Sequence, residues 1–367
     1  MTRRHLLMAL LAIVIGLGQP VSADSTIRIG VMLPFKQGSS VSERAVDFYR
    51  GLMISVDSLR QSGQAFRVYT YNTADKPISQ ILRDTIIPHL DIIFGPDEAS
   101  TLKSISDFTS PHGIKLVDAF CPVTSTLATN PHLFLAYPSD KLVVADITAL
   151  YAKVFQKTNL IIVDTGRPVH PLINALKQMK DTKIRYLQAG FTASQLKSRL
   201  SQKRINIVVP SSADNASAAS LLRVVSALRQ VDSQCDLRVL GYPEWQDSQS
   251  GSRSQFAKAN TYIYCSYFYQ SGSARAQRFA QIYRRYFRKD FAMGYPAMAP
   301  YGFDLGYTML KGLMHYGRAY AGQSVYAAPL QSTLQFQRQD RGGGLVNHKM
   351  LFIHYKPTGG VELIERK

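Results

Sequence analysis

The sequence predicts an α/β protein of two doubly wound lobes, and three observations carry that prediction. Short apolar, β-branched runs alternate with helical stretches along most of the chain. Such alternation implies parallel sheets covered by helices on both faces. It occurs in two successive series, and 367 residues are too many for one ordinary core but enough for two. With 46% hydrophobic and 19% charged residues, the chain is too apolar to be disordered.

The N-terminus stands apart. "MTRR" is basic, residues 6–17 form a short apolar run, and Val21, Ser22 and Ala23 close it with small side chains. This layout predicts a signal peptide over residues 1–23, cleaved after Ala23, with a retained anchor as the alternative. The run is too short to span a bilayer comfortably, and no later run approaches about twenty apolar residues, so the mature chain should lack a transmembrane segment. The mature chain is expected to be exported.

The first series then begins. "IRIGVML" has the content of a buried strand, and Val46, Tyr49, Leu52, Met53, Val56 and Leu59 give residues 41–61 a helical period. "FRVYTY" is a second strand, after which Pro77 opens a helix at its first turn. "DIIFG" is a third strand, stopped by Gly95-Pro96 and followed by a helix over residues 99–109. "IKLVDAF" and "LFLAY" are the fourth and fifth strands.

A helix over residues 140–156 opens the second series. Its strands are "LIIVD", "IRYLQ", "INIVVP" and "LRVLGY", and the clearest helix between them covers residues 216–229. "YIYCSYFY" is an aromatic strand, followed by helices over 274–287 and 302–316. "TLQFQR" and "KMLFIHYK" around Gly342–Gly344 look antiparallel. No long Ser/Gly/Pro tract separates the halves, so short strand-like crossings should form a hinge.

Charge and cysteines narrow the function classes. The formal charge is +18, of which Arg3 and Arg4 leave with the signal peptide. Export argues against nucleic acid, so an anionic ligand, an acidic partner or the polyanionic envelope suits the charge better. The basic stretches "KSRLSQKR" and "RRYFRK" read as solvated helix faces. Cys121, Cys235 and Cys265 match no metal or redox spacing. Buried thiols are the preferred reading, and a Cys235–Cys265 bridge stays open because both fall in one predicted lobe.

Ligands of open α/β sheets sit beyond the carboxyl ends of the strands. Those positions here include Phe35 after strand one, Ser100 after strand three, and Val123, Thr124 and Ser125 after strand four. In the second lobe they include Arg167, Tyr242, Glu244 and Trp245. Hydroxyls and free amides at a helix start suit a carboxylate or phosphate, although helix capping explains each one singly. Tyr242, Trp245, Tyr267 and Tyr269 could wall a site by stacking, with core and hinge packing as the alternative. For catalysis the yield is poor. GxSxG, HExxH and the phosphate loop are missing, the histidines lack metal spacing, and "STLK" and "SQLK" read as chance tetrads. An enzyme is not expected, nor is a cofactor.

This order of segments resembles the type I periplasmic binding proteins, the leucine/isoleucine/valine-binding flytraps. "IRIGVMLPF", "RAVDFYRGLMISVDSL", "DIIFGP" and "IKLVDAFCPVTS" look like that family's first lobe. "GYPEWQ", "YIYCSYFY", "PYGFDLGYTMLKGL" and the Gly342–Gly344 region look like the remainder. The combination is most similar to a bacterial envelope branch in which a LysM peptidoglycan-binding module often precedes the flytrap; here only the signal peptide precedes it. The resemblance implies Rossmann-like lobes joined by three crossings, near residues 137–140, 267–270 and 329–333. Lobe one would then comprise residues 25–138 and 270–330, and lobe two 139–269 and 331–367.

The resemblance also implies roles. Ser100 and residues 123–125 would bind an amino acid's carboxylate, with Glu244 and Tyr242 on its ammonium. Two departures stand out. The first loop is the acidic "PDEAS", whose Asp97 and Glu98 repel a carboxylate, and Arg167 suits an anion better than an amine. The leading expectation is a solute-binding protein for a small polar ligand such as an amino acid, short peptide or cell-wall fragment, served by a membrane permease. The alternative is an envelope protein that binds peptidoglycan or a cell-wall enzyme and regulates wall metabolism.

Overall fold

The structure is a computed structural model that describes residues 26–36, 39–122, 125–232, 236–247 and 252–365. The predicted signal peptide, Val123, Thr124 and Cys235 lie outside the described residues.

The first series runs β1 (Ile27–Leu33), α1 (Ser40–Arg60), β2 (Phe66–Asn72), the short α2 (Ile78–Ile81), β3 (Ile92–Phe94), α3 (Ala99–His112), β4 (Lys115–Asp118) and β5 (Leu133–Leu135). The second runs α4 (Asp140–Val154), β6 (Thr158–Asp164), α5 (Pro171–Lys177), β7 (Lys183–Gln188), α6 (Ala193–Lys197), β8 (Ile205–Pro210), α7 (Asn215–Val231), β9 (Leu237–Gly241), α8 (Ser252–Lys258) and β10 (Thr261–Cys265). Then follow α9 (Ala274–Phe287), α10 (Met298–Tyr316), β11 (Phe336–Arg338), β12 (Leu345–Asn347), β13 (Leu351–Tyr355) and β14 (Val361–Glu365).

Local chemistry sets the boundaries. Asp214 caps α7 by accepting the Ser217 N–H at 2.8 Å, and Thr192 and Gln195 form a reciprocal capping box on α6. α3 ends at Gly113, whose φ of 67° is left-handed and costs glycine no strain. α10 begins four residues earlier than the sequence suggests. Pro300 does not prevent this, because a first-turn residue has no intrahelical N–H bond to lose.

Among the described residues the strands form two sheets of seven. The first has the order β11-β12-β5-β4-β3-β1-β2 and the second β14-β13-β10-β9-β8-β6-β7. Parallel pairing dominates, with antiparallel strands at one end of each sheet. The interior strands are continuous apolar runs, as expected of sheets covered on both faces.

The predicted α/β architecture of two doubly wound lobes is therefore present, with one correction. β11 and β12, expected in lobe two, pair into the first sheet, where β12 lies parallel to β5. The third crossing is thus the step from β12 to β13 at residues 348–350 and not residues 329–333. Strands of three residues are too short to show a period, so "TLQFQR" and "KMLFIHYK" read as one antiparallel unit. Residues 330–332 instead pack against α10, where Leu330 and Gln331 donate their N–H groups to the buried Asp304 carboxylate at 2.7 and 2.8 Å. Cys265 is buried and free among the described residues, and Cys235, its candidate bridge partner, lies outside them.

The crossings are tied by one hydrogen-bonded knot. Tyr267 Oη, on the second crossing, donates to the Ala136 carbonyl on the first. Asn347, at the third, donates from Nδ2 to that carbonyl at 3.3 Å and to Tyr267 Oη at 3.2 Å. α1 and α10 meet with almost no space between their backbones. A Cβ on Gly51 would lie 1.8 Å from the Ala299 carbonyl oxygen, and one on Gly302 would lie 2.0 Å from that of Phe48. Glycine is required at both.

Candidate functional site

β5, β10 and β12 all run out of their carboxyl ends into the crossings. The carboxyl edges of both sheets therefore face each other beside the hinge, which is where open α/β sheets hold ligands.

On the lobe-one side, Phe35 is half-buried. Its ring meets Tyr49 edge-on at 5.4 Å, and its N–H donates to Asn72 Oδ1 at 2.7 Å. Ser100 is exposed in the first turn of α3, and its hydroxyl donates to Glu98 Oε2 at 3.3 Å. Burial, helped by the charge of Glu98, raises the Asp97 carboxyl above its ordinary range, against a bond from its own backbone. Ser125 is exposed at the start of a short 3-10 turn, Ser125–Ala128. Behind these loops lies Asp118, which is fully buried. Its Oδ1 accepts the N–H groups of Phe120 and Cys121 at 3.1 and 2.9 Å, while Oδ2 has no hydrogen-bond partner among the described residues.

On the lobe-two side three aromatic candidates are in the core. Tyr242 has no exposed surface and donates its hydroxyl to the Pro210 carbonyl at 2.6 Å. Trp245 is stacked on Phe256 and bonded through Nε1 to the Ala213 carbonyl at 3.2 Å. Tyr267 belongs to the hinge knot. Their aromatic mass stabilises the lobe and the hinge; residue type alone could not say which way the rings turn.

Glu244 behaves differently. It is exposed in the 3-10 turn that follows β9. The cleft walls still remove enough water to raise its carboxyl above the ordinary range, and Asp140 and Asp247 add to this, against its own backbone N–H and His170. Arg167 is exposed, with its Nε 3.8 Å from Asp214. Asp214 also accepts from Ser212 at 2.6 Å, within a network that includes Ser211 and Thr165.

The structure adds residues that sequence reasoning passed over. Asp140, read only as a helix start, accepts from Tyr264 and lies 3.0 Å from His170 Nε2. His170 Nδ1 accepts the Leu172 N–H at 3.2 Å, so the ring proton sits on Nε2, directed at Asp140. Tyr295 of lobe one reaches across. Its N–H donates to Asp247 of lobe two, and its hydroxyl accepts the Ser266 N–H at 3.2 Å. Tyr137, Asp140, Glu244, Tyr264, Tyr295 and Met350 surround a cavity of about 30 Å³ at the hinge end of the cleft. The electrostatic neighbours of the Tyr137 phenol are Glu244, Asp140 and Asp247, opposed by Arg44 of α1. The cleft wall is thus acidic, with one arginine from the opposite lobe. Asp140 precedes an apolar helical period and Tyr295 sits beside a proline, so neither gave a sequence signal beyond those structural ones.

No protein-family model and no curated protein matches the chain. Solved structures do. A branched-chain amino acid ABC transporter periplasmic ligand-binding protein from Burkholderia xenovorans gives a TM-score of 0.57 at 14% identity, over 93% of this chain and 96% of that one. An ABC transporter substrate-binding protein from Desulfitobacterium hafniense, in complex with Leu, gives 0.54 at 13%, over 93% and 100%. LpoA from Haemophilus influenzae gives 0.56 at 12%, over 93% of this chain and 59% of LpoA. At these identities the likeness defines the fold. This chain has the two-lobe fold of the type I periplasmic binding proteins.

Proposed function

We propose that the chain is an exported, non-enzymatic solute-binding protein of the periplasm whose lobes close on a small polar ligand that carries an amine. An amino acid, a short peptide or a cell-wall fragment would fit. The observation that carries this reading is Glu244: an exposed carboxylate in the turn after β9, with Asp140 and Asp247 as its electrostatic neighbours. A ligand ammonium would meet Glu244, and His170 and Tyr264 would keep Asp140 in place behind it. Asp97 and Glu98 make the start of α3 a poor seat for an anion, so Arg44 is the better partner for a ligand carboxylate. A net-neutral or cationic ligand is favoured over a dianion. The solute-binding structures of the same fold support the reading, and a membrane permease would be the partner.

A ligand-soaked thermal-shift panel of amino acids, short peptides, sugars and muropeptides tests it. A ligand at about a hundred times its dissociation constant adds ~2.7 kcal/mol of stability. Glu244→Gln should weaken the responding ligand by about tenfold or more, the worth of a charged hydrogen bond. If no ligand in the panel raises the melting temperature, solute binding is overturned.

A second reading has one observation in its favour. The hinge-end cavity, about 30 Å³, has room for water but not for a solute. An envelope protein that uses this fold to bind peptidoglycan or a cell-wall enzyme would need no larger chamber there, and the likeness to LpoA supports it. Sedimentation with purified peptidoglycan distinguishes the two. Retention that survives high salt favours the envelope role, and retention lost with salt reflects charge alone.

A further inference from the structure

A groove of about 940 Å³ lies on lobe one, away from the cleft, between one face of α1 and one face of α9. On α1 and its C-cap the wall is Ile54, Asp57, Ser58 and Gln61; on α9 it is Arg275, Arg278, Ile282 and Arg285. Each set repeats at helical spacing, so each helix lends one face to the groove. Phe279, Phe303 and Leu330 form an apolar floor, and Tyr286, 52% exposed, stands on the rim.

The charges in the groove do not cancel. Asp57 is already paired with Arg60 at 3.2 Å, and Arg284, on the next face, with Asp290 at 2.7 Å. Arg275 has the buried Asp304 as its electrostatic neighbour. Arg278 and Arg285 make no ion pair or hydrogen bond among the described residues. Two free guanidinium groups thus overhang a floor of aromatic and aliphatic surface.

We propose that this groove docks an acidic amphipathic helix of a partner protein. The occupant follows from the chemistry. The guanidinium groups require carboxylates, and Arg suits them by its forked geometry. The floor requires apolar side chains, which an anionic glycan or phosphate polymer lacks. From Arg275 to Tyr286 the wall is roughly 16 Å long, which matches about three helical turns. A second copy of this chain is disfavoured, since a formal charge of +18, or 18 − 2 = +16 without Arg3 and Arg4, repels itself. Helix-in-groove recognition with apolar anchors at helical spacing has this form.

The test uses the full mature chain and a fluorescein-labelled helical peptide with Glu on its polar face and Leu and Phe on the other. Anisotropy should show saturable binding, weakened about tenfold or more by the double substitution Arg278→Glu and Arg285→Glu. A peptide with Lys in place of Glu should bind the double variant better than the wild type. Because both arginines are surface residues, circular dichroism and melting should be unchanged. Lys197→Glu with Lys203→Glu, on the other lobe, should leave the peptide's affinity intact. The proposal is overturned by any of four results. These are no binding of the peptide, equal binding of poly-glutamate, no effect of charge reversal, or stronger retention on phosphatidylglycerol vesicles than by the peptide. Self-association abolished by the double variant would likewise overturn it, in favour of a homodimer.

Discussion

At the residue scale two buried carboxyl groups give the molecule a pH response. Burial raises Asp118 and Asp304 from the ordinary 3.8 to about 7 each, despite the backbone N–H groups that both accept. Between those values the folded chain holds protons that the unfolded chain has released. Stability therefore falls as pH rises from about 4 to about 7 and levels off above, by an order of a few kcal/mol per group. Asp118→Asn should remove its share of that slope, because an amide oxygen still accepts from Phe120 and Cys121. Urea titrations across this range check it; an unchanged slope would show that Asp118 ionises normally. Neither group was legible as special. In "IKLVDAF" and "PYGFDLGY" each acid sits where the strand or helix pattern demands burial, and sequence alone does not reveal what compensates it. Glu244 was proposed from sequence because it follows a strand in the second series, and the structure leaves it exposed there. Tyr242 and Trp245, its neighbours in "GYPEWQ", were misread as cleft walls, since both turn beneath the loop into the core.

At the scale of elements, the close crossing of α1 and α10 makes a sharp prediction. Gly302→Ala places a methyl group against the Phe48 carbonyl, and backbone cannot move aside as a flexible side chain can. The cost should be at least the ~1–3 kcal/mol typical of overpacking. Chemical denaturation measures it, and a neutral substitution would mean that the helices separate freely. Gly51 was visible in the sequence inside a helical period and Gly302 at the expected start of one, yet nothing there named their partners. Long elements such as α1 and α9 were read nearly to the residue because many turns reinforce one period. β11 and β12 were assigned to the wrong lobe because three residues carry no period.

At the scale of the whole molecule, the knot of Ala136, Tyr267 and Asn347 holds the lobes to one another. Tyr267→Phe leaves the Ala136 carbonyl with Asn347 as partner and should cost about 1 kcal/mol. Asn347→Ala should cost more, because its Oδ1 also accepts the N–H groups of Gln335 and Lys349 at 3.0 and 3.2 Å. It should also separate the unfolding of the lobes into two transitions by calorimetry. A single transition in Asn347→Ala would show that packing outside the knot couples the lobes.

The interleaving of the crossings also has a consequence in time. A chain that emerges N-terminus first, from a ribosome or through a translocation pore, delivers the strands of residues 336–347 and 351–365 after the other strands of both sheets. The first group completes one sheet and the second completes the other. Neither lobe can close its sheet while the other end of the chain is still threading. Completion of both sheets therefore waits for residues 336–365, and the arrival of that one short segment acts as the common trigger for both halves.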